Sequence, residues 1–382
     1  MSASTLVIKI GTSSLTKPET ADLNLGAIAR LVEVIVQLRR QGYQILLVSS
    51  GAVGVGCTRL GLADRPQKLA LKQAVAAVGQ GRLIRIYDDF FAALHQPVAQ
   101  ILLTRANLID RQNYRNVHAT LQALLELEVL PIINENDTVA VEELKFGDND
   151  TLSALVASLM EAAWLFLLTD VDRLYSADPR QHPEAEPIMQ VDYDQLDDLA
   201  DQVAIASKSN SWGTGGMATK LSAAKIASRA GVRTVITRGD QPELIYQILA
   251  GEQIGTQIAP RPQVINARKR WIMDHSLIMG QLILDAGAVD ALKSGGRSLL
   301  PAGIMAVEGK FDPEDTVSLL DQNHQEFGRG ISNFGSEEIK RIMGSHSEHI
   351  SQTFGGDRQT TVVHRDNLVL LAHSSNQTSS HD

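Results

Sequence analysis

Two neighbouring segments of the chain carry a high density of acidic and amide side chains. The first is residues 133–137, Ile-Asn-Glu-Asn-Asp, and the second is residues 147–151, Gly-Asp-Asn-Asp-Thr. Such side chains favour turns and helix caps over helix interiors. Asp148 or Asn149 is expected to cap the helix that follows, which would point backbone N–H groups into the same space. The two segments predict a pocket for a small, highly polar ligand, and the alternative is a solvated loop before a capped helix.

Two lysines lie in sequence segments that could bind an anionic ligand. Lys9 lies near the end of an apolar run that reads as a buried strand, where an ammonium is costly unless it meets an anion or reaches solvent. Lys220 follows the stretch Gly-Thr-Gly-Gly-Met-Ala-Thr, residues 213–219, and lies one turn into a predicted helix. Glycine-rich backbone, the positive end of a helix and a lysine together favour phosphate. The order differs from a Walker A loop, and a flexible linker is the alternative.

The elements that would position these residues alternate between strands and helices. The predicted strands are residues 6–10, 44–48, 98–103, 129–133, 164–168 and 232–237, and the main predicted helices are residues 26–41, 68–94, 116–127 and 242–250. This alternation predicts an α/β fold with a mostly parallel sheet sandwiched between helices. In such sheets ligands bind beyond the carboxyl ends of the strands. The residues expected at those ends are Lys9, Gly11, Ser50, Asp137 and Asp170.

The composition changes near residue 260. Residues 1–260 form the predicted α/β domain, and the Pro-rich, basic residues 261–272 are a predicted linker. Residues 273–370 show short apolar runs at 280–284, 303–307, 317–320 and 362–363, separated by Gly, Asp and Asn turns, which predicts a small β-rich domain. Residues 371–382 are Ser-, His- and Asn-rich and are predicted to be a disordered tail.

Charge and composition limit the class of protein. The chain has 382 residues and a net charge of −9, which disfavours general attraction to nucleic acid or to an anionic membrane. Cys57 is a single cysteine, so no internal disulfide and no cysteine-based metal site is expected, and no other metal-binding pattern is visible. No run approaches the ~20 apolar residues of a spanning helix, and no signal peptide is evident. We therefore expect a cytoplasmic protein.

In this order the motifs resemble the amino-acid kinase superfamily, and within it the glutamate 5-kinase family. The segments that carry the resemblance are Val-Ile-Lys9-Ile-Gly-Thr-Ser, Ser-Ser50-Gly-Ala, Ile-Asn-Glu-Asn-Asp137, Gly-Asp-Asn149-Asp150-Thr-Leu-Ser-Ala, Leu-Leu-Thr169-Asp170 and Gly-Thr214-Gly-Gly-Met-Ala-Thr-Lys220. The C-terminal part resembles a PUA domain, in the segments Arg-Lys-Arg-Trp271, Ser-Leu-Leu-Pro301-Ala-Gly-Ile and Val-His364-Arg-Asp. The resemblance covers nearly the whole chain.

The resemblance implies a reaction and roles for particular residues. It implies transfer of phosphate from ATP, with Mg²⁺, to the γ-carboxylate of L-glutamate, as the first step of proline biosynthesis, and inhibition by proline. The implied catalytic residues are Lys9, Lys220 and Asp150, and the implied substrate-binding residues are Ser50, Asp137 and Asn149. The implied nucleotide-binding residues are Lys9, Thr169, Asp170, Thr214, Gly215, Gly216, Met217, Ala218, Thr219 and Lys220. Asp150 would orient the two lysines, and Mg²⁺ would arrive on the nucleotide phosphates.

Alternatives and partners are also implied. Other superfamily members phosphorylate aspartate, N-acetylglutamate, carbamate or UMP, but they do not combine the Gly-Asp-Asn-Asp segment with an appended PUA domain. PUA domains often bind RNA, but acidic residues offset the basic ones in this domain, so nucleic-acid binding is not expected. We expect a homo-oligomer, either a dimer or a tetramer. We also expect handover of the labile acyl phosphate to a separate glutamyl phosphate reductase.

Overall fold

The structure is a computed structural model that describes residues 4–17, 22–62, 64–140, 149–177, 182, 184–196, 198–199, 216–261, 272, 278–345 and 361–371. The chain divides into two compact units, residues 1–265 and residues 266–382.

The first unit is an α/β structure. Its strands are β1 Thr5–Ile10, β2 Gln44–Ser49, β3 Val98–Leu103, β4 Leu130–Glu135, β5 Trp164–Thr169, β6 Leu174–Tyr175, β7 Pro187–Ile188, β8 Gln190–Val191, β9 Arg233–Arg238 and β10 Thr256–Ile258. Its helices are α1 Thr12–Leu15, α2 Leu25–Arg40, α3 Ala52–Leu60, α4 Leu69–Ala92, α5 Arg105–Ile109, α6 Arg111–Glu126, α7 Asn149–Leu159, α8 Gly216–Arg229 and α9 Leu244–Leu249.

Eight of these strands form one sheet in the order β3-β4-β2-β1-β5-β9-β10-β8. The six strands from β3 to β9 are parallel, and β10 is antiparallel to β9. Strand β8 runs parallel to β10 at the edge, and β6 and β7 form a separate two-stranded ribbon. The mostly parallel sheet expected from the alternation of elements is therefore confirmed.

Helices cover both faces of this sheet. On one face Leu6, Ile8 and Ile10 pack in an apolar cluster with residues of α2 and α4. On the other face Val7 packs with residues of α7 and α8. Successive side chains of a strand point to opposite faces, so Lys9 lies on the same face as Val7. Burial on both faces explains why β1 is apolar almost throughout.

The structure corrects one helix boundary. The predicted helix at residues 116–127 begins earlier, at Arg111, and Asp110 caps it by accepting a hydrogen bond of 2.7 Å from the Asn113 backbone N–H. The first turn is polar, so apolar periodicity begins only later along the helix.

The second unit is built on a five-stranded sheet. Its strands are β11 Ile278–Leu284, β12 Ile304–Gly309, β13 Thr316–Leu320, β14 Glu326–Ile331 and β15 Leu368–Leu370, and its helices are α10 Ala286–Gly295 and α11 Ser336–Ile342. The strand order is β12-β11-β13-β14-β15, in which only β11 and β13 pair in parallel. Phe311, Phe327 and Phe334 are buried in its apolar core.

One strand prediction for this unit was wrong, and two strands, β14 and β15, were not predicted. Val362 and Val363 form no strand, because Val363 makes only an isolated bridge to Leu299. Strand β14 was not predicted, because Gly328 and Gly330 interrupt its apolar pattern.

In the described part of the chain, no helix has the length and hydropathy needed to cross a bilayer.

Candidate active site

The site lies at the carboxyl edge of the parallel strands. Lys9, the last residue but one of β1, is level with Val48 of β2 and with Leu167 of β5. The ends of these three neighbouring strands therefore align, and the polar residues that follow them are brought together. Only 5% of the Lys9 surface is exposed, so its ammonium does not reach out to solvent.

Asp150 provides the anion that Lys9 requires. It lies in the first turn of α7, is 2% exposed, and one carboxylate oxygen, Oδ1, forms an ion pair with the Lys9 Nζ. Burial acts to raise the pKa of Asp150, but the positive charges of Lys9 and Lys220 outweigh it and lower the pKa below its usual value of 3.8. Asp150 is therefore a carboxylate at neutral pH.

Helix α8 contributes the second lysine. Lys220 Nζ lies 3.1 Å from Asp150 Oδ2, and the same oxygen accepts a hydrogen bond of 3.2 Å from the Thr219 hydroxyl. Lys220 is 8% exposed. The three buried charged side chains, Lys9, Asp150 and Lys220, are called the charged cluster below. Their charges sum to +1, which favours an anionic ligand beside them.

The glycine-rich segment is described only in part. Thr214 and Gly215 lie outside the described residues, and so does Asp148, the alternative cap of α7. Gly216 begins α8, so Gly216, Met217, Ala218 and Thr219 form its first turn ahead of Lys220. The first N–H groups of a helix have no partner within the helix, and they point in the direction from which an anion would approach.

A second group of polar side chains lies at the end of β2 and β4. Asn149 Nδ2 donates hydrogen bonds to Asn134 Oδ1 at 2.9 Å and to Ser50 Oγ at 3.0 Å. The backbone of Ser50 is held in turn, because its N–H donates to the carbonyl of Ile10 at 3.2 Å. Gly51 follows with a φ of 111°, a left-handed conformation that favours glycine and ends the strand before α3.

The remaining predicted site residues are at the same edge of the sheet. Asp137 lies two residues beyond the end of β4, and its side chain is half-buried. Thr169 ends β5 as a buried residue, and its hydroxyl donates a hydrogen bond of 2.9 Å to Asp170 Oδ1. Asp170 itself is exposed. The structure therefore places both residues at the end of β5, which lies on the opposite side of β1 from β2 and Ser50.

Sequence reasoning gave no role to several residues that support the site. Asn134 is 2% exposed and joins Asn149 to Gln80 of α4, because its Nδ2 donates to Gln80 Oε1 at 2.7 Å. Ser49 Oγ and Tyr87 OH, also of α4, lie 2.9 Å apart. Burial raises the pKa of Tyr87, with the Ser49 hydrogen bond opposing, so the phenol is neutral. The sequence signal for these two residues was a polar side chain at positions 80 and 87, on the apolar face of α4.

The donor set bears on metal binding. Among the residues that the structure describes, no group of three or more His, Cys, Asp or Glu side chains forms a metal site. Both oxygens of Asp150 face lysines. This arrangement suits a metal ion that arrives on a nucleotide better than a resident ion held in a protein cage.

Comparison with known proteins assigns the family. The sequence model of the Amino acid kinase family matches residues 4–238, and that of the PUA domain matches residues 280–354. Glutamate 5-kinase of Cyanothece sp. (strain PCC 7425) is 63% identical over 366 residues, or 96% of this chain and 99% of the relative. Glutamate 5-kinase of Synechococcus elongatus is 62% identical over 367 residues, again 96% and 99% of the two chains. The chain belongs to the glutamate 5-kinase family.

Membership of the glutamate 5-kinase family has consequences for both units. The chain is a kinase, the first unit has the amino-acid kinase fold, and the second contains a PUA domain.

Among solved structures, carbamate kinase from Giardia lamblia bound to AMP-PNP is similar, with 16% identity, a TM-score of 0.49, and coverage of 68% of this chain and 99% of that chain.

Proposed function

We propose that this chain catalyses ATP-dependent phosphorylation of the γ-carboxylate of L-glutamate, which forms L-glutamyl 5-phosphate in the first step of proline biosynthesis. The charged cluster is the observation that carries the proposal. A carboxylate nucleophile and a γ-phosphate are both anionic and repel each other, so the protein must supply positive charge between them. Two buried lysines aligned on one aspartate supply it.

The choice of lysine fits the chemistry of the acceptor. A carboxylate is already ionised at neutral pH, so no general base is required to activate it. Phosphoryl transfer asks the protein mainly for positioning and for stabilisation of charge on the transferring oxygens. In this proposal Lys9 and Lys220 hold the transferring group, and Asp150 fixes the direction of both ammonium groups through its two oxygens.

The nucleotide and the amino acid take different sides of the charged cluster in this proposal. ATP lies over the first turn of α8, with Thr169 and Asp170 beside it, and Mg²⁺ accompanies its phosphates. When bound, the metal neutralises phosphate charge. The amino acid lies over Ser50, Asp137 and Asn149, at the ends of β2 and β4 and the start of α7.

The reaction can be tested by trapping the acyl phosphate with hydroxylamine. We expect hydroxamate formation that depends on ATP and Mg²⁺ with L-glutamate, and little or none with L-aspartate or N-acetylglutamate. Turnover with one of the other acids instead of glutamate would preserve the role of the charged cluster and contradict the proposed substrate. Absence of turnover with every acid would overturn the proposed function.

The role of the lysines can be tested in the same assay. Lys9→Ala and Lys220→Ala are each expected to lower kcat by ~10²–10³, since each removes a preorganised donor to the transferring group. The matched control is Lys340→Ala, because Lys340 is an exposed lysine paired with Glu337 in the second unit. Near-normal kcat in either cluster variant would refute the assignment.

Three further properties belong to the same proposal. Proline is expected to inhibit by binding at or near the amino-acid site, which predicts competition with L-glutamate in initial-rate measurements. A homo-oligomer, dimer or tetramer, is expected in light scattering. The labile product is expected to pass to a separate reductase, which predicts less trapping by hydroxylamine when that enzyme is present.

A further inference from the structure

A chain of three amide side chains runs from helix α4 to the start of α7. Gln80 of α4 accepts from Asn134 of β4, and Asn134 accepts from Asn149 of α7. Gln80 is 54 residues from Asn134 in sequence, and Asn149 is 15 residues beyond Asn134. We call these three residues the amide chain.

Backbone groups fix which end of each asparagine amide is oxygen and which is nitrogen. The Glu135 N–H can only donate, and it donates to Asn134 at 2.9 Å, so the atom that receives it is Oδ1. Asn134 Nδ2 therefore faces Gln80. Asn149 turns its Nδ2 toward this same Asn134 oxygen and toward the carbonyl of Ser49, which lies 3.5 Å away and can only accept.

This orientation leaves the Asn149 Oδ1 as an acceptor without a donor among the described residues. Both N–H bonds of Asn149 are directed at Asn134 and Ser50. Its Oδ1 is buried and has no hydrogen-bond partner among the residues that the structure describes. A buried oxygen without a hydrogen-bond donor is unfavourable, so binding of a ligand that supplies a donor is favoured. Since Ser50 Oγ accepts from Asn149, its own O–H can donate to the ligand.

We infer that Gln80 is a positioning residue that acts through Asn134 to present Asn149 Oδ1 as an acceptor for the α-ammonium of the amino-acid substrate. This inference rests on the proposed function and deepens it. The ammonium is the group of an amino acid that donates hydrogen bonds, whereas its carboxylates only accept. The Ser50 hydroxyl then takes a carboxylate, and Asn149 distinguishes an amino acid from a dicarboxylic acid that lacks the ammonium.

Gln80 is suited to this role by its place in the fold. Gly79, the residue before it, packs so closely on α3 that an added Cβ would lie 1.8 Å from the Ala52 carbonyl oxygen. Tyr87, two turns further along α4, contacts Ser49. Helix α4 is therefore fixed against the end of β2 and the start of α3, the two elements that flank Ser50.

The test compares three constants between the wild-type chain and its variants: the KM for L-glutamate, the KM for MgATP and the Ki for glutarate. In Gln80→Leu we expect the KM for L-glutamate to rise about tenfold, because Asn134 Nδ2 is left buried without its acceptor and no longer holds Asn149. The KM for MgATP should stay within about twofold. Glutarate, which lacks the α-ammonium, serves as a competitive inhibitor whose Ki should change by less than about twofold.

Conservative and matched variants separate positioning from loss of structure. Gln80→Glu keeps an oxygen acceptor for Asn134 and should restore the KM for L-glutamate to within about threefold of the wild-type value. Gln122→Leu makes the same replacement at a helix glutamine whose side chain donates to Glu126 on the same helix, and should leave all three constants unchanged. If Gln80→Leu does not fold, Gln80→Asn withdraws the same acceptor by one methylene group.

Each outcome decides the matter. An unchanged KM for L-glutamate, or equal losses for L-glutamate and glutarate, would overturn the inference while hydroxamate formation by the wild-type chain upholds the proposed function. A rise confined to the KM for MgATP would overturn it too, because Asn149 would then serve the nucleotide. If the wild-type chain forms no hydroxamate with L-glutamate, the proposed function and this inference both fail.

Discussion

The two units of this chain differ in whether they bury charged side chains. In the first unit Lys9, Asp150, Lys220 and Glu135 are buried at the carboxyl edge of the sheet. In the described part of the second unit every buried polar residue is uncharged; these residues are Thr316, Ser318, Ser332, Ser336 and Asn367. Both units have apolar cores of the usual kind, so the difference does not come from how they fold.

The buried charges of the first unit lower its stability relative to apolar packing at the same positions. Burying a charge is unfavourable unless it is paired, and even a paired buried charge adds little net stability compared with apolar packing. The charged cluster is therefore explained by its use and not by the needs of the fold. The second unit, which keeps its ion pairs near the surface, has no comparable group among its described residues.

The largest effect is expected from breaking the charged cluster at its centre. Asp150→Asn removes the only negative charge of the cluster and leaves two buried ammonium groups facing each other. We expect the free energy of unfolding to fall by about 3–5 kcal/mol, as is typical when one partner of a buried ion pair is removed. Urea unfolding followed by circular dichroism measures this loss.

The control for Asp150→Asn is the same replacement in the second unit. Asp366→Asn removes a carboxylate that is 68% exposed and lies near His364 and Arg365. It should leave the urea midpoint unchanged, because exposed ion pairs are screened by solvent. Equal destabilisation by the two variants would remove the distinction between the units.

Acid should remove the contribution of Asp150 in a defined range of pH. Folding lowers the pKa of Asp150 below 3.8, because the charges of Lys9 and Lys220 outweigh the opposing effect of burial. A group with a lowered pKa stabilises the fold above its unfolded pKa, and this stabilisation is lost as the pH falls toward the folded pKa. The difference in unfolding free energy between wild type and Asp150→Asn should therefore be constant above roughly pH 5 and shrink below that.

This pH dependence is measured by urea titrations of the two proteins at matched ionic strength. A difference that changes between about pH 6 and 8 would contradict the assignment, because Asp150 does not titrate there.

Much of the first unit could be predicted from sequence, because its strands are buried on both faces. Strand β1, for example, is an apolar run interrupted only by Lys9, and that interruption marked the site. The parallel alternation then predicted that Lys9 and Ser50 would meet at one edge. The pairing of Lys9 and Lys220 on Asp150 was implied by the family resemblance, since the three residues lie far apart in sequence.

Other features depend on tertiary contacts that leave no local pattern. The contact of Gln80 with Asn134 joins a helix to a strand 54 residues away, and a glutamine on an apolar helix face does not identify its partner. Strand β14 was not predicted because close neighbours require glycine at two of its positions, 328 and 330. A Cβ on Gly328 would lie 2.8 Å from the Val369 carbonyl oxygen, and one on Gly330 would lie 2.4 Å from Val363 Cγ1. The glycines that make this packing possible also remove the pattern of a strand.

The smallest effect is expected from an ion pair of the second unit. Arg329 Nε and Glu326 Oε1 lie 2.8 Å apart on β14, and their side chains are 24% and 29% exposed. A double-mutant cycle with Glu326→Gln and Arg329→Gln should give a coupling free energy of about 0–1 kcal/mol, which falls with added salt because solvent and ions screen the pair. A coupling of about 3 kcal/mol or more, insensitive to salt, would mean that this pair is as strongly coupled as a buried one. The second unit would then also contain a strongly coupled ion pair, and strong charge pairing would no longer distinguish the carboxyl edge of the sheet in the first unit from the rest of the described chain.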